Sequence, residues 1–215
     1  MGTTLWGRKS SFNVQKAMWA LEEAGIPYER VDAGGAFGGL RDPSYLAMNP
    51  NGYIPTLEDD GFVLWESHAI VRYVAEQYAG GSLYPADIRQ RALAGQWMDW
   101  MQSNLHGSFM DLFWSLVRTP EGERNLKHIH AVHKRVMMHM LILEGQLARM
   151  PYLAGEDFSM ADIPAGCVLY RFFEMPMERP SIPHVEAWYG RLKEREAYRK
   201  GVMIPFGELY GRLAF

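Results

Sequence analysis

Apolar residues open the chain at Thr3 to Trp6 and then recur at Val14, Ala17, Met18, Leu21 and Ala24, where Gly25 ends the pattern. The first run predicts a short strand and the second a helix, because residues three and four apart share a helix face. "GIPYERVD" predicts a second strand. The glycines that follow, Gly34, Gly35, Gly38 and Gly39, do not have the G-x-G-x-x-G spacing of a phosphate-binding turn, and no helical pattern follows at once, so this segment reads as a loop. A helical turn at "PSYLAM" and a turn at Asn49-Pro50-Asn51-Gly52 lead to two brief apolar runs, Thr56-Leu57 and Phe62 to Leu64. The Asp-Gly pair between them is a hairpin signal. Ile70, Val71, Val74 and Tyr78 then mark a helix that stops at Gly80-Gly81.

From Pro85 onward the period is helical throughout, with breaks at Thr119-Pro120, at Met150-Pro151 and around "ERPSIPH". These patterns predict an α/β unit of order βαβ-ββα with a mixed sheet over residues 1–80, a linker over 81–87 and an all-helical unit over 88–215. In "FSMAD", Ser159 and Asp162 have the spacing of a capping box. Ser159 is expected to accept from the Asp162 N–H while the Asp162 carboxylate reaches back, with Phe158 and Ile163 as a hydrophobic staple.

A chain of 215 residues with 48% hydrophobic content has ample material for a core. The net charge of −3 offers no basic field for a phosphate backbone, which argues against nucleic acid as a partner. No run approaches the roughly 18 consecutive apolar residues of a membrane span, and "MGTTLWGRKS" lacks an apolar stretch of signal-peptide length, so a cytoplasmic protein without a membrane partner is expected. The single cysteine, Cys167, lies in the apolar run "IPAGCVLYRFF" and reads as a buried small hydrophobe. His128, His130 and His133 lack the carboxylate or thiol that would complete a metal site, so they read as a polar helix face and no metal is expected.

"NPNGYIPTL", "WESHAI" and "FSMADI", in that order behind a βαβ start, resemble the cytosolic glutathione transferase family over essentially the whole chain. The serine-type, theta-like and delta-like bacterial members are the nearest in pattern. The resemblance implies a thioredoxin-like first domain, a helical second domain and glutathione as co-substrate. It also implies a homodimer and a role in detoxification. It implies a cis peptide bond at Pro55, with the Ile54 backbone pairing with the cysteinyl part of glutathione, Glu66 and Ser67 holding the γ-glutamyl end, and Tyr53 beside them. Ser11 falls at the position of the catalytic hydroxyl, which donates to the glutathione sulfur and favours its thiolate.

The sequence departs from the family where Phe12, Asn13 and Val14 replace the usual proline or cysteine, which leaves Ser10 and Asn13 as alternative donors. Phe12, Trp100, Met101, Leu105, Phe109, Phe113 and Trp114 are candidates for an apolar electrophile wall. Within the same fold, a glutathione-dependent isomerase, dehalogenase or peroxide/disulfide reductase is the alternative enzyme, and a non-catalytic interaction protein is the alternative outside catalysis.

Overall fold

A computed structural model describes residues 2–213; Met1, Ala214 and Phe215, at the ends of the two expected units, lie outside the described residues. Strand β1 (Thr3–Trp6) runs into helix α1 (Phe12–Glu23), β2 (Tyr28–Val31), the short helix α2 (Pro43–Met48), β3 (Thr56–Asp59), β4 (Phe62–Trp65) and helix α3 (Ser67–Tyr78). The four strands form one mixed sheet in the order β2-β1-β3-β4, with β1 parallel to β2 and antiparallel to β3, and β3 antiparallel to β4. Asp60 takes φ 48° in the β3–β4 turn, as the Asp-Gly pair requires.

The register fixes what comes next. Trp6 stands opposite Thr56, and Thr56 opposite Trp65, so the end of β1, the start of β3 and the end of β4 meet at one edge of the sheet. Whatever follows β1, precedes β3 or follows β4 is gathered there.

The rest is helical: α4 (Ile88–Trp100) continues through a π-helical turn at Met101–Leu105 into α5 (His106–Phe113) and a second π-helical turn at Trp114–Arg118. Then come α6 (Leu126–Leu147), α7 (Asp162–Glu174), α8 (Pro183–Glu194) and α9 (Glu196–Gly201). No helix among the described residues is long and apolar enough to cross a membrane. The pattern "HVEAWYGRLKEREAY" predicts one helix, but Arg195 is extended at ψ 124° and divides α8 from α9. The gain is an ion pair: Arg195 Nε and Nη2 each donate at 2.7 Å to the two carboxylate oxygens of Glu23 at the end of α1.

The capping signal is realised with one change of partner. The Asp162 carboxylate reaches back to the Ser159 N–H at 3.0 Å, whereas the Ser159 hydroxyl accepts from Ala161 N–H at 3.3 Å. Asp162 is fully buried and also accepts from Leu153 N–H at 3.0 Å and Trp188 Nε1 at 3.1 Å. It therefore joins the loop before α7, the start of α7 and α8. Burial pushes its pKa up to about 7, against the pull of these donors. Asp162→Ala would leave three buried N–H groups unpaired, and we expect a loss of about 3 kcal/mol or more in urea unfolding at neutral pH.

Candidate active site

The loop from Gly7 to Ser11 turns the chain from β1 into α1. It is stitched by Ser11 N–H to Arg8 C=O at 3.0 Å, by Gln15 Nε2 to Lys9 C=O at 3.1 Å, and from the helical half by Arg171 Nη2 to Ser10 C=O at 2.7 Å. Ser11 is the N-cap residue of α1, yet its hydroxyl makes no capping hydrogen bond. That hydroxyl is left to point at whatever lies beside the helix start.

The second wall is the Tyr53-Ile54-Pro55 turn, whose Ile54–Pro55 bond is cis. Helix α2 and the turn after it hold this segment: Tyr45 OH donates at 2.6 Å and Asn49 Nδ2 at 2.9 Å to Tyr53 C=O. Both also meet Thr56 Oγ1, at 2.9 and 3.2 Å. The third wall is the start of α3. Glu66 adopts φ 73°, a sparsely populated conformation for a residue with a side chain, and Ser67 behind it is buried. Strained residues concentrate where a fixed geometry serves a ligand, and Glu66 and Ser67 at the start of α3 both line the cleft.

Asn13, Asn49, Asn51, Tyr53, Ile54, Pro55, Glu66 and Ser67 line one cleft of about 600 Å³. A smaller cavity of about 120 Å³ adjoins it, lined by Ser10, Ser11, Phe12, His106, Met110, Phe113 and Arg171 among others. Asn13, Arg8 and Trp114 belong to both. The expected ligand-binding residues thus stand together, with Asn13 inside the larger cleft and Ser10 and Ser11 in its annex.

The expected apolar wall divides differently. Phe12, Phe113 and Trp114 line the small cavity, but Met101, Leu105 and Phe109 are fully buried and line neither cavity. They face inward from the α4–α5 rod and supply core. Trp100 packs edge-to-face on Trp97 and His139, away from both cavities. Nor is the annex wholly apolar: Arg8, Arg118 and Arg171 reach it, and burial together with their neighbouring like charges lowers the Arg171 pKa to about 10. Nothing in the composition of the isolated "LYRFF" run marks Arg171 as more than an interruption in an apolar helix.

Two histidines behind the site are held neutral. His68 is buried against the ammonium of Lys16, and its pKa falls to about 2, with burial the main cause and the Lys16 charge next. His106 packs on Phe12 with the rings tilted and their centroids 5.6 Å apart, and the same two causes lower it to about 4. Cys167 is fully buried, which pushes its thiol up to about 12 and leaves it inert. His133 Nε2 donates to Glu178 C=O at 2.8 Å and His128 Nε2 meets Asp111 Oδ1 at 2.8 Å; among the described residues no group of three His, Cys, Asp or Glu is placed to hold a metal ion.

A four-stranded mixed sheet with helices on it, joined to an all-helical domain, defines a thioredoxin-like two-domain architecture with a polar cleft where the strand ends meet. Residues 1–76 match the family model described as "Glutathione S-transferase, N-terminal domain" and residues 105–196 the one described as "Glutathione S-transferase, C-terminal domain". The chain is 41% identical over 204 residues to "Glutathione S-transferase GstB" of Escherichia coli (strain K12), covering 94% of this chain and 98% of that one. It is 32% identical to "Probable glutathione S-transferase GSTF2" of Oryza sativa subsp. japonica, covering 91% and 94% of the two chains. Among solved structures it is similar to the theta class glutathione S-transferase from the citrus canker pathogen Xanthomonas axonopodis pv. citri with glutathione bound. That match has a TM-score of 0.92 and 51% identity, and covers 95% of this chain and 99% of the other. The chain belongs to the glutathione S-transferase family and is a transferase enzyme.

The neutral histidines give the stability a pH signature. Each has a folded pKa below the ordinary value of about 6.5, so the unfolded chain takes up a proton that the folded one refuses. Their contribution is complete above about pH 6.5 and is lost as pH falls, at about 1 kcal/mol per pH unit for each histidine. Asp162, raised to about 7 on folding, works in the opposite sense over the same window, so the check is the difference from wild type: in urea midpoints measured from about pH 7 down to about pH 4.5, His68→Gln and His106→Gln should each lose less stability, or gain more, than wild type as pH falls.

Proposed function

We propose that the larger cleft binds glutathione and that Ser11 activates its thiol for attack on an electrophile seated in the annex. The observation that carries this reading is the convergence of Asn13, Ile54, Pro55, Glu66 and Ser67 on one cleft beside a serine hydroxyl with no capping partner. In it, the Ile54 backbone pairs with the cysteinyl backbone of the ligand, in the manner of an added strand. The γ-glutamyl carboxylate takes the Ser67 hydroxyl and the N–H groups of the first turn of α3, where the helix dipole favours an anion. Glu66 receives the γ-glutamyl ammonium, and Tyr53, 69% exposed, flanks the entrance.

The sulfur then lies at the start of α1. A donor to the charged form of a thiol lowers its pKa from the ordinary value near 8.5, so the Ser11 hydroxyl and the α1 N-terminus both raise the thiolate fraction. The thiolate is the nucleophile. Serine donates a hydrogen bond and is not itself attacked or acylated. Ser10 and Asn13 are the other groups able to donate at this point.

The acceptor in this reading has an apolar body that packs on Phe12, Met110, Phe113 and Trp114, with the cationic side of the annex available to its polar part. A thiol-type mechanism with a mixed disulfide on the protein finds no partner in the inert Cys167. The reading includes a homodimer, supported by the apolar surface of Ile88 and Leu93 and the half-buried Trp97 along α4.

Bound thiolate absorbs near 240 nm. Wild type titrated with glutathione at neutral pH should show that band, and Ser11→Ala should bind glutathione with little of it and lose transfer rate by on the order of 100-fold. Unchanged thiolate in Ser11→Ala would move the role to Ser10 or Asn13, and absence of glutathione binding by wild type would end the reading.

A further inference from the structure

Lys16 stands one turn beyond Asn13 on α1 and has no exposed surface. An ammonium removed from water needs acceptors for its N–H donors, and the fold supplies them at two points. Nζ donates to Asn13 Oδ1 at 3.1 Å and to His68 Nε2 at 3.1 Å, with the Phe12 ring centroid 5.0 Å away. Because lysine carries donors only, Nε2 of the neutral His68 must be the accepting nitrogen.

The same logic fixes the Asn13 amide, whose oxygen and nitrogen are told apart by their partners. Its oxygen faces Lys16, with the Ser67 hydroxyl 3.5 Å away on the same side. With Oδ1 held on the buried side, the planar amide turns Nδ2 the other way. Nδ2 has no partner among the described hydrogen bonds, and Asn13 is one of the residues shared by the cleft and the annex.

We propose that Lys16 is a positioning residue: by holding Asn13 Oδ1 it presents the two Asn13 Nδ2–H donors to the sulfur of bound glutathione, beside the Ser11 hydroxyl. The inference rests on the reading of the cleft as a glutathione site. Burial lowers the Lys16 pKa to about 8, and the Glu66 carboxylate supports its charge, while the Cys167 thiol, held up at about 12, stays neutral. His106, like His68, carries no charge at neutral pH. The buried ammonium is thus the charge that Asn13 Oδ1 meets on its inner face.

The test measures the pKa of the bound thiol rather than activity alone. Wild type, Lys16→Met, Asn13→Ala and the double variant are saturated with glutathione, and thiolate absorbance near 240 nm is followed from about pH 5 to about pH 9, with glutathione affinity measured by calorimetry. Lys16→Met should raise the apparent thiol pKa by about one unit, a tenfold smaller thiolate fraction at low pH, with affinity changed by less than about twofold. Asn13→Ala should do the same, and the double variant should add nothing, since both remove one device.

A Lys16→Met protein that binds glutathione and titrates like wild type overturns the inference. So does a rise that persists in full in the Asn13→Ala background, because that rise would act without Asn13. If Lys16→Met does not fold, Asn13→Asp carries the test with Lys16 intact: one carboxylate oxygen stays on the ammonium and the other replaces Nδ2. The thiol pKa should then exceed that of Asn13→Ala, and an equal or lower value overturns the inference. A wild type that binds no glutathione overturns the underlying reading, and it is seen before any variant is compared.

Discussion

Helix α1 is held between the sheet and the helical half with every residue from Val14 to Leu21 buried. Trp19 is the tightest point. A Cβ added at Gly166 would lie 2.8 Å from its ring, and one at Gly201 would lie 2.9 Å from its backbone nitrogen, so α7 and α9 approach α1 as closely as glycine allows. Tyr198 packs edge-to-face on the same indole, and Glu23 at the end of the helix binds Arg195. Such close packing resists displacement, because interiors at this density lose contact energy for shifts well under an ångström. The first turn of α1, which carries Ser11 and Asn13, is therefore set by both halves of the molecule together.

This constraint explains why some of the design was legible and some was not. Strands and hairpin follow from local alternation and an Asp-Gly turn, and the cleft residues Ile54, Pro55, Glu66 and Ser67 sit in short motifs whose order is distinctive. The register that gathers them at one sheet edge is a consequence of those same local patterns. Lys16 is different. In "VQKAMWALEEAG" a lysine among apolar residues reads as the polar edge of an amphipathic helix, since nothing local says that a second layer of helices will cover that edge. Its partner His68 is far away in sequence, and Arg171, which pins the serine loop, is farther still.

The expected electrophile wall divides between core and annex for a related reason. Met101, Leu105 and Phe109 recur at the spacing of one helix face, but that face looks into the bundle, whereas Phe113 and Trp114, further along the same rod, reach the annex together with His106 and Met110. Periodicity identifies a buried face without saying what buries it. In the same way, Arg195 lies inside an unbroken helical pattern and leaves it to reach Glu23, a tertiary interaction stronger than the propensity of one residue.

A cleft meant to hold a thiolate needs positive potential without a mobile cation that would pair with it and block attack. The chain as a whole carries −3, so the potential must be local. On the proposed reading it comes from groups that cannot leave: the N-termini of α1 and α3, the ammonium of Lys16 sealed behind Asn13, and the guanidinium groups of the annex. Burying Lys16 is costly in isolation, and the fold offsets that cost with Asn13, a neutral His68 and the face of Phe12. The same burial that lowers its pKa also keeps water from competing for the ammonium, so the hydrogen bond from Lys16 to Asn13 Oδ1 has no solvent rival. Polar donors at the surface of the cleft and a fixed cation behind them are thus parts of a single arrangement, and α1 is the element that carries both.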